Sequence, residues 1–103
     1  MIWSPGVTPY IRPTIQSDID KAVDILKSAG CIECYIFGSV SKGHADESSD
    51  IDIAIRGLPP EKFFYIYGQL ALHVHRVIDL VDLDDGTRFS QKLRRREAMT
   101  RVF

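Results

Sequence analysis

Apolar side chains recur at helical spacing in two segments of the chain. In residues 17–29 they fall three and four positions apart, Ser17 can cap the start, and Gly30 follows the end, so we predict a first helix there. Residues 61–73 follow two prolines and predict a second helix. We expect its broad apolar face to lie in the core; that face consists of Phe63, Phe64, Ile66, Tyr67, Leu70 and Ala71.

Three short apolar runs between these segments are typical of strands, at residues 31–37, 50–55 and 76–83. A last helix is expected at 87–97, and Met99, Val102 and Phe103 indicate a short final strand. Residues 1–16 begin with a segment rich in proline, and we predict an extended arm. The pattern as a whole predicts one α/β (α+β) domain over residues 1–103, with a small mixed β-sheet and helices packed on one face.

Composition narrows the class of partner. The 103 residues suffice for one domain with one core, and the net charge of −1 gives no general attraction to nucleic acid or to acidic membranes. Neither a basic-then-apolar leader nor a long apolar segment is seen, so we expect a cytoplasmic protein. Basic residues crowd the C-terminal part, and we interpret them as a solvated or partner-facing surface: Arg88, Lys92, Arg94, Arg95, Arg96 and Arg101.

The candidate chemistry lies around the second predicted strand. Asp50 and Asp52 are two residues apart between isoleucines, so on a strand both carboxylates would share one face and the isoleucines the other. Adjacent carboxylates repel each other, and a cation between them removes that cost. Hard oxygen ligands at this spacing suit Mg²⁺ or Mn²⁺. The alternative is a polar strand edge that faces solvent.

A candidate phosphate site precedes this strand. Gly38 and Ser39 follow the first apolar run, where a tight turn would present backbone amides and a hydroxyl to an anion. A phosphate-binding turn close to a pair of metal ligands suggests phosphoryl or nucleotidyl transfer.

The combined pattern G-S-x10-D-x-D resembles the signature of the DNA polymerase β-like nucleotidyltransferase superfamily. At this length the chain resembles the minimal nucleotidyltransferases (MNT), the antitoxins of MNT/HEPN toxin–antitoxin pairs. The resemblance implies that nucleotide is bound by Gly38, Ser39, Lys42 and Ser49. It also implies that metal binding and catalysis rest on Asp50, Asp52 and Asp79.

The third of these acids has a competitor. Asp79 and Asp82 lie three apart on the third predicted strand and cannot share a face. Asp79 stands between Ile78 and Leu80, where a bare carboxylate is costly, whereas Asp82 near the strand end is easily explained as a capping or solvated residue. The resembling proteins also place their third acid at the position of Asp79, so we select it.

The resemblance further implies a reaction and a partner. Minimal nucleotidyltransferases use two Mg²⁺ ions and move AMP from ATP to a hydroxyl, here expected to be a tyrosine, of a HEPN ribonuclease toxin. Two alternatives stay open at this point. One is an antitoxin that neutralises its toxin by binding alone, and the other is a small-molecule (aminoglycoside-type) nucleotidyltransferase working as a dimer. A homo-oligomer is compatible with each.

Cysteine and histidine residues add no second site. Cys31 and Cys34 are three apart, so on a strand they would face opposite ways, and no further cysteine pair completes a zinc site. We expect two reduced, part-buried thiols. His73 and His75 at a helix-to-strand junction are expected to be surface residues.

Overall fold

The computed structural model describes residues 13–38, 50–88, 91 and 99–103. Predictions for residues 1–12, for the 39–49 loop and for most of the last helix fall outside that part. The elements, numbered in chain order, are α1 (Pro13–Ser28), β1 (Glu33–Phe37), β2 (Ile51–Arg56), α2 (Pro60–His73), β3 (Ile78–Asp82) and β4 (Thr100–Arg101).

The strands form one mixed sheet in the order β3-β2-β1-β4. β1 runs antiparallel to both β2 and β4, and β2 runs parallel to β3. Parallel neighbours require a crossover connection, and α2 supplies it between β2 and β3. The predicted small mixed sheet is confirmed.

Alternating side chains divide the sheet into two faces. One face is buried under α1 and α2 in the main core, so the prediction of helices on one face is confirmed. This helix-covered face contributes Cys34, Ile36, Ile51, Ile53, Ile55, Ile78 and Leu80, and α1 contributes Ile15, Ile19, Ala22, Val23 and Leu26. The opposite face, which we call the carboxylate face, carries Asp52 and Asp79.

The first helix begins earlier than predicted. α1 starts at Pro13, so residues 13–16 are helical and the predicted arm over 1–16 is wrong for its last four residues. Proline is favoured at the first helical position, where its missing N–H has no helical partner to lose. Ile15 is fully buried and extends the apolar stripe by one turn.

The second helix begins one residue before the predicted 61–73 and ends where predicted, but it does not have the predicted burial. Of its apolar face only Ile66 and Leu70 are buried, Phe63 is half-buried, and Phe64 is 85% exposed. Tyr67 and Ala71 are exposed as well, so their assignment to the core was wrong. The reason is that α2 contacts α1 and the sheet along one narrow stripe, and helical position rather than hydropathy decides which side chains lie on it.

The remaining sequence predictions need small corrections. β1 and β3 each begin two residues later than predicted, and β2 is shifted by one. Cys31 and Cys34 are both free and buried, more fully than predicted. Burial raises the pKa of the Cys34 thiol to about 12, which keeps it protonated. Within the described residues, no helix is long and apolar enough to cross a membrane.

Candidate active site

Two carboxylates from neighbouring strands face each other. Asp52 on β2 lies directly opposite Asp79 on β3 in the parallel ladder. The residues on either side of Asp52 along β2, and on either side of Asp79 along β3, point into the main core. Because side chains alternate between the two faces of a strand, both acids lie on the carboxylate face. We call Asp52 and Asp79 the carboxylate pair.

The electrostatics of the pair are unfavourable for two free anions. Burial, a hydrogen bond with Asp79 and the negative charges of Asp79 and Asp50 together raise the pKa of Asp52 to about 6. Desolvation is the largest of these causes, and like-charge repulsion adds to it. A proton or a cation between the two carboxylates therefore stabilises the arrangement.

The glycine of the predicted phosphate-binding turn lies against the same pair. Gly38 follows β1 and has φ of +72°, a backbone conformation that favours glycine. A Cβ at this position would collide with Oδ2 of Asp52 and come within 3.3 Å of its Cγ. The backbone at residue 38 thus approaches the Asp52 carboxylate more closely than any other residue type would permit.

The structure places the other predicted site residues as follows. Asp50 is exposed and immediately precedes β2, and its charge contributes to the raised pKa of Asp52. Ser39, Lys42 and Ser49 lie outside the described residues. Of the predicted set, Gly38, Asp52 and Asp79 are therefore brought together, with Asp50 at the start of the same strand.

Asp82, the competitor for the third acid, lies elsewhere. It stands opposite Ile55, at the far end of the β2–β3 ladder from the carboxylate pair. Its Oδ1 accepts a hydrogen bond of 2.9 Å from the backbone N–H of Asp84 and so caps the turn after β3. This geometry fits the structural role that the sequence suggested for it.

The donor set fits a hard divalent cation. No cluster of three or more His, Cys, Asp or Glu side chains arranged to hold a metal occurs within 13–38, 50–88, 91 and 99–103. The carboxylate pair by itself offers anionic oxygens from two adjacent strands, which is the ligand chemistry that Mg²⁺ prefers. A bound cation would replace the stabilising proton and lower the pKa of Asp52.

The sequence pattern of the family "Polymerase beta, Nucleotidyltransferase" matches residues 20–98. The chain belongs to this nucleotidyltransferase family. The match spans both members of the carboxylate pair, Gly38 and Asp50. A comparison with curated proteins gave no match.

Solved structures share the fold of this nucleotidyltransferase. A chain of the crystal structure of a toxin-antitoxin with AMP-PNP is 27% identical with a TM-score of 0.61, over 78% of this chain and 69% of that chain. A chain of a mutant MntA-HpeT toxin-antitoxin is 25% identical with a TM-score of 0.62, over 82% and 71%. A chain of the toxin-antitoxin MntA-HepT is 23% identical with a TM-score of 0.58 and shows the fold alone, over 82% and 69%.

Sequence reasoning missed the apolar cluster beside the carboxylate pair. Phe37, Ala54 and Leu83 are buried together on the carboxylate face, and Tyr35, Val81 and Met99 pack against them. Phe37 lies opposite Asp52, so this cluster begins at the acids and extends away from them along the sheet. Strand alternation in residues 33–37 and 51–56 could have revealed it, because the apolar residues that do not face the helices must share the face of Asp52.

Proposed function

We propose that this nucleotidyltransferase is the antitoxin of a toxin–antitoxin pair and transfers AMP from ATP to a tyrosine hydroxyl of a HEPN ribonuclease toxin. The single observation that carries the reaction is the carboxylate pair beside Gly38 in a chain of the polymerase beta family. The partner is supported by the similarity to chains of toxin-antitoxin structures, one of them with AMP-PNP. ATP and Mg²⁺ are abundant in the cytoplasm, where we place the reaction.

The residues take separate roles in this proposal. Asp50 and Asp52 would hold the Mg²⁺ that accompanies the triphosphate, and Asp79 with Asp52 would hold a second ion. The turn at Gly38 and Ser39 would bind the β- and γ-phosphates, with Lys42 and Ser49 as further contacts. Bound Mg²⁺ would supply positive charge that stabilises the attacking and leaving oxygens of an in-line displacement.

Groups of the chain itself would orient the triphosphate and accept the proton of the acceptor hydroxyl. The turn at Gly38 would orient the triphosphate so that the α-phosphorus faces the acceptor hydroxyl. Asp79 would accept the proton of that hydroxyl as its oxygen attacks. The new bond joins the tyrosine oxygen to the α-phosphorus, the bond between the α-phosphorus and the bridging oxygen breaks, and pyrophosphate leaves. Burial of Asp52 beside Asp79 would keep this chemistry in a partly desolvated environment.

The test is incubation with α-labelled ATP, Mg²⁺ and the protein encoded by the neighbouring open reading frame. We expect label on the partner, and loss of that label in Asp50→Asn/Asp52→Asn. Asp82→Asn is the matched control, because it removes an acid from the same sheet outside the carboxylate pair and should retain transfer.

Each other result points to a different function. Absence of label with an equally stable complex of wild type and variant would favour an antitoxin that acts by binding alone. Label on an added aminoglycoside, with none on the protein partner, would favour the small-molecule enzyme.

A further inference from the structure

A nearly buried ion pair links the first helix to the segment before β3. Nε of Arg76 donates to Oδ2 of Asp18 at 3.2 Å, and the two side chains are 11% and 10% exposed. The residues are 58 positions apart in sequence. Asp18 lies on the buried stripe of α1, among apolar neighbours.

Such a pair calls for an explanation other than stability. Two apolar side chains of similar volume often stabilise a protein as well as a buried ion pair does, because desolvation offsets much of the charge attraction. A hydrogen-bonded charge pair differs from an apolar contact in being directional. It can hold one chain segment at one position relative to another.

The segment held here sets the position of β3. Among the strands that the structure describes, β3 lies at one edge of the sheet and pairs with β2 alone. The backbone N–H of Ile51 donates to the carbonyl of Val77 at 2.9 Å, so pairing begins at the residue after Arg76. A shift of this ladder by two residues would preserve which side chains face the helices, but would move Asp79 by about 6.6 Å along the sheet.

The two directions of such a shift are opposed differently. In one direction Asp82 would take the place of Leu80 opposite Ile53, and burial of its carboxylate in the main core opposes this. In the other direction Arg76 would move into the row of Ile51. The apolar pattern alone opposes that shift weakly, because Ile78 would then face Ile53 and remain in the core.

We propose that the Asp18–Arg76 ion pair is a positioning device that prevents this second shift and so keeps Asp79 opposite Asp52. Arg76 shares the helix-facing side of its segment with Ile78, which is why it reaches α1 while Asp79 faces the other way. The consequence for metal binding rests on the proposed function. The consequence for strand register does not.

The test separates position from stability. In Asp18→Leu/Arg76→Met apolar groups replace both partners, so the melting temperature should stay near that of the wild type. Hydrogen exchange of the Ile51 amide should nevertheless become faster. Mn²⁺ affinity, measured from the EPR signal of free Mn²⁺, should weaken by roughly 10-fold, as when support of a metal ligand is lost. Arg76→Lys keeps the charge, so its Ile51 exchange rate and its Mn²⁺ affinity should lie between those of the double variant and the wild type.

Val23→Ala is the matched control, because it lowers stability from the buried stripe of the same helix and leaves both partners of the Asp18–Arg76 ion pair in place. It should leave Mn²⁺ affinity unchanged, and it should not accelerate hydrogen exchange at the Ile51 amide more than at other amides. Wild-type exchange at that amide in the double variant would overturn the proposal. If the double variant does not fold, exchange of the Ile51 amide is measured in Arg76→Lys instead, where it should be faster than in the wild type. Exchange at the wild-type rate in that variant would overturn the proposal. Absence of Mn²⁺ binding by the wild type would refute the proposed metal site, while exchange at Ile51 would still decide the positioning role.

Discussion

The Cα of Gly38 lies so close to Oδ2 of Asp52 that no side chain fits between them. This contact joins Gly38, the residue after β1, to the acid on β2, and the ladder joins that acid to Asp79 on β3. Gly38 after β1, Asp52 on β2 and Asp79 on β3 therefore lie side by side across three neighbouring strands.

Replacement of Gly38 by alanine should lower the free energy of unfolding more than the same replacement at another glycine with positive φ. Gly38→Ala forces alanine into φ of +72°, which costs about 1–2 kcal/mol, and also pushes the new Cβ against Asp52. Gly86→Ala is the control, because φ is +74° there and the new Cβ meets no atom within 4 Å. Urea unfolding should show the larger loss for Gly38→Ala. Equal losses would mean that the contact with Asp52 is relieved at little cost.

The third acid can be assigned by two single variants. Asp79→Asn should lower AMP transfer by roughly 100-fold, as removal of an electrostatic catalytic group typically does. Asp82→Asn should transfer AMP at nearly the wild-type rate, because Asp82 caps the turn at Asp84 and the amide oxygen can still accept that hydrogen bond. The initial rates of label incorporation give the comparison. The reverse ranking would assign the role to Asp82.

The stability of the metal-free protein should fall as the pH rises through the titration of Asp52. The folded-state pKa is about 6 against an ordinary 3.8, so the folded protein binds the proton more tightly than the unfolded chain does. This contribution is complete below the ordinary value and is lost as the pH passes the raised value. Because the carboxyl is only partly buried, we expect a loss of about 1 kcal/mol.

Thermal melts at about pH 4.5 and about pH 7.5 measure this loss, and the part due to the pair is the difference between wild type and Asp52→Asn. Mg²⁺ should restore stability at the higher pH by neutralising the carboxylate pair. A wild-type profile identical to that of Asp52→Asn would show that Asp52 titrates normally.

The two cysteines should be inert in the folded protein. Burial raises the pKa of Cys34 to about 12, and burial with the charge of Asp82 raises the pKa of Cys31. The thiolate is the reactive form, so modification by a thiol reagent should be slower by roughly 100-fold or more than in the urea-unfolded chain. Cys31→Ser and Cys34→Ser report each thiol separately. Rapid labelling of Cys34 without denaturant would contradict its burial.

The second helix should tolerate polar or small residues where the sequence pattern suggested core. Phe64→Ala should change the free energy of unfolding by no more than about 0.5 kcal/mol, because the ring is largely exposed. Leu70→Ala on the same helix should cost about 2–5 kcal/mol, because that side chain is buried. Chemical denaturation of the two variants compares them directly. A large loss for Phe64→Ala would indicate that the ring is covered in solution.

Local pattern was sufficient for the elements and for part of the site. Strand alternation at residues 50–55 puts Asp52 on the face away from the isoleucines, and the structure agrees. The preference for Asp79 over Asp82 rested on a charge placed mid-run between apolar residues and on the position of the third acid in the resembling proteins, and it stays a prediction. The face of Asp52 could be predicted because strand alternation depends only on neighbours within a few positions of the chain.

What the sequence by itself determined is the alternation of faces along each strand and the approximate positions of the helix and strand segments. Only the tertiary structure decided which strands are neighbours, and therefore that Asp79 lies opposite Asp52. It also decided that Phe64 is exposed and that Asp18 finds Arg76 across 58 residues. The physical reason is that periodicity is a property of one element, whereas pairing register, burial and ion pairs depend on how separate elements pack.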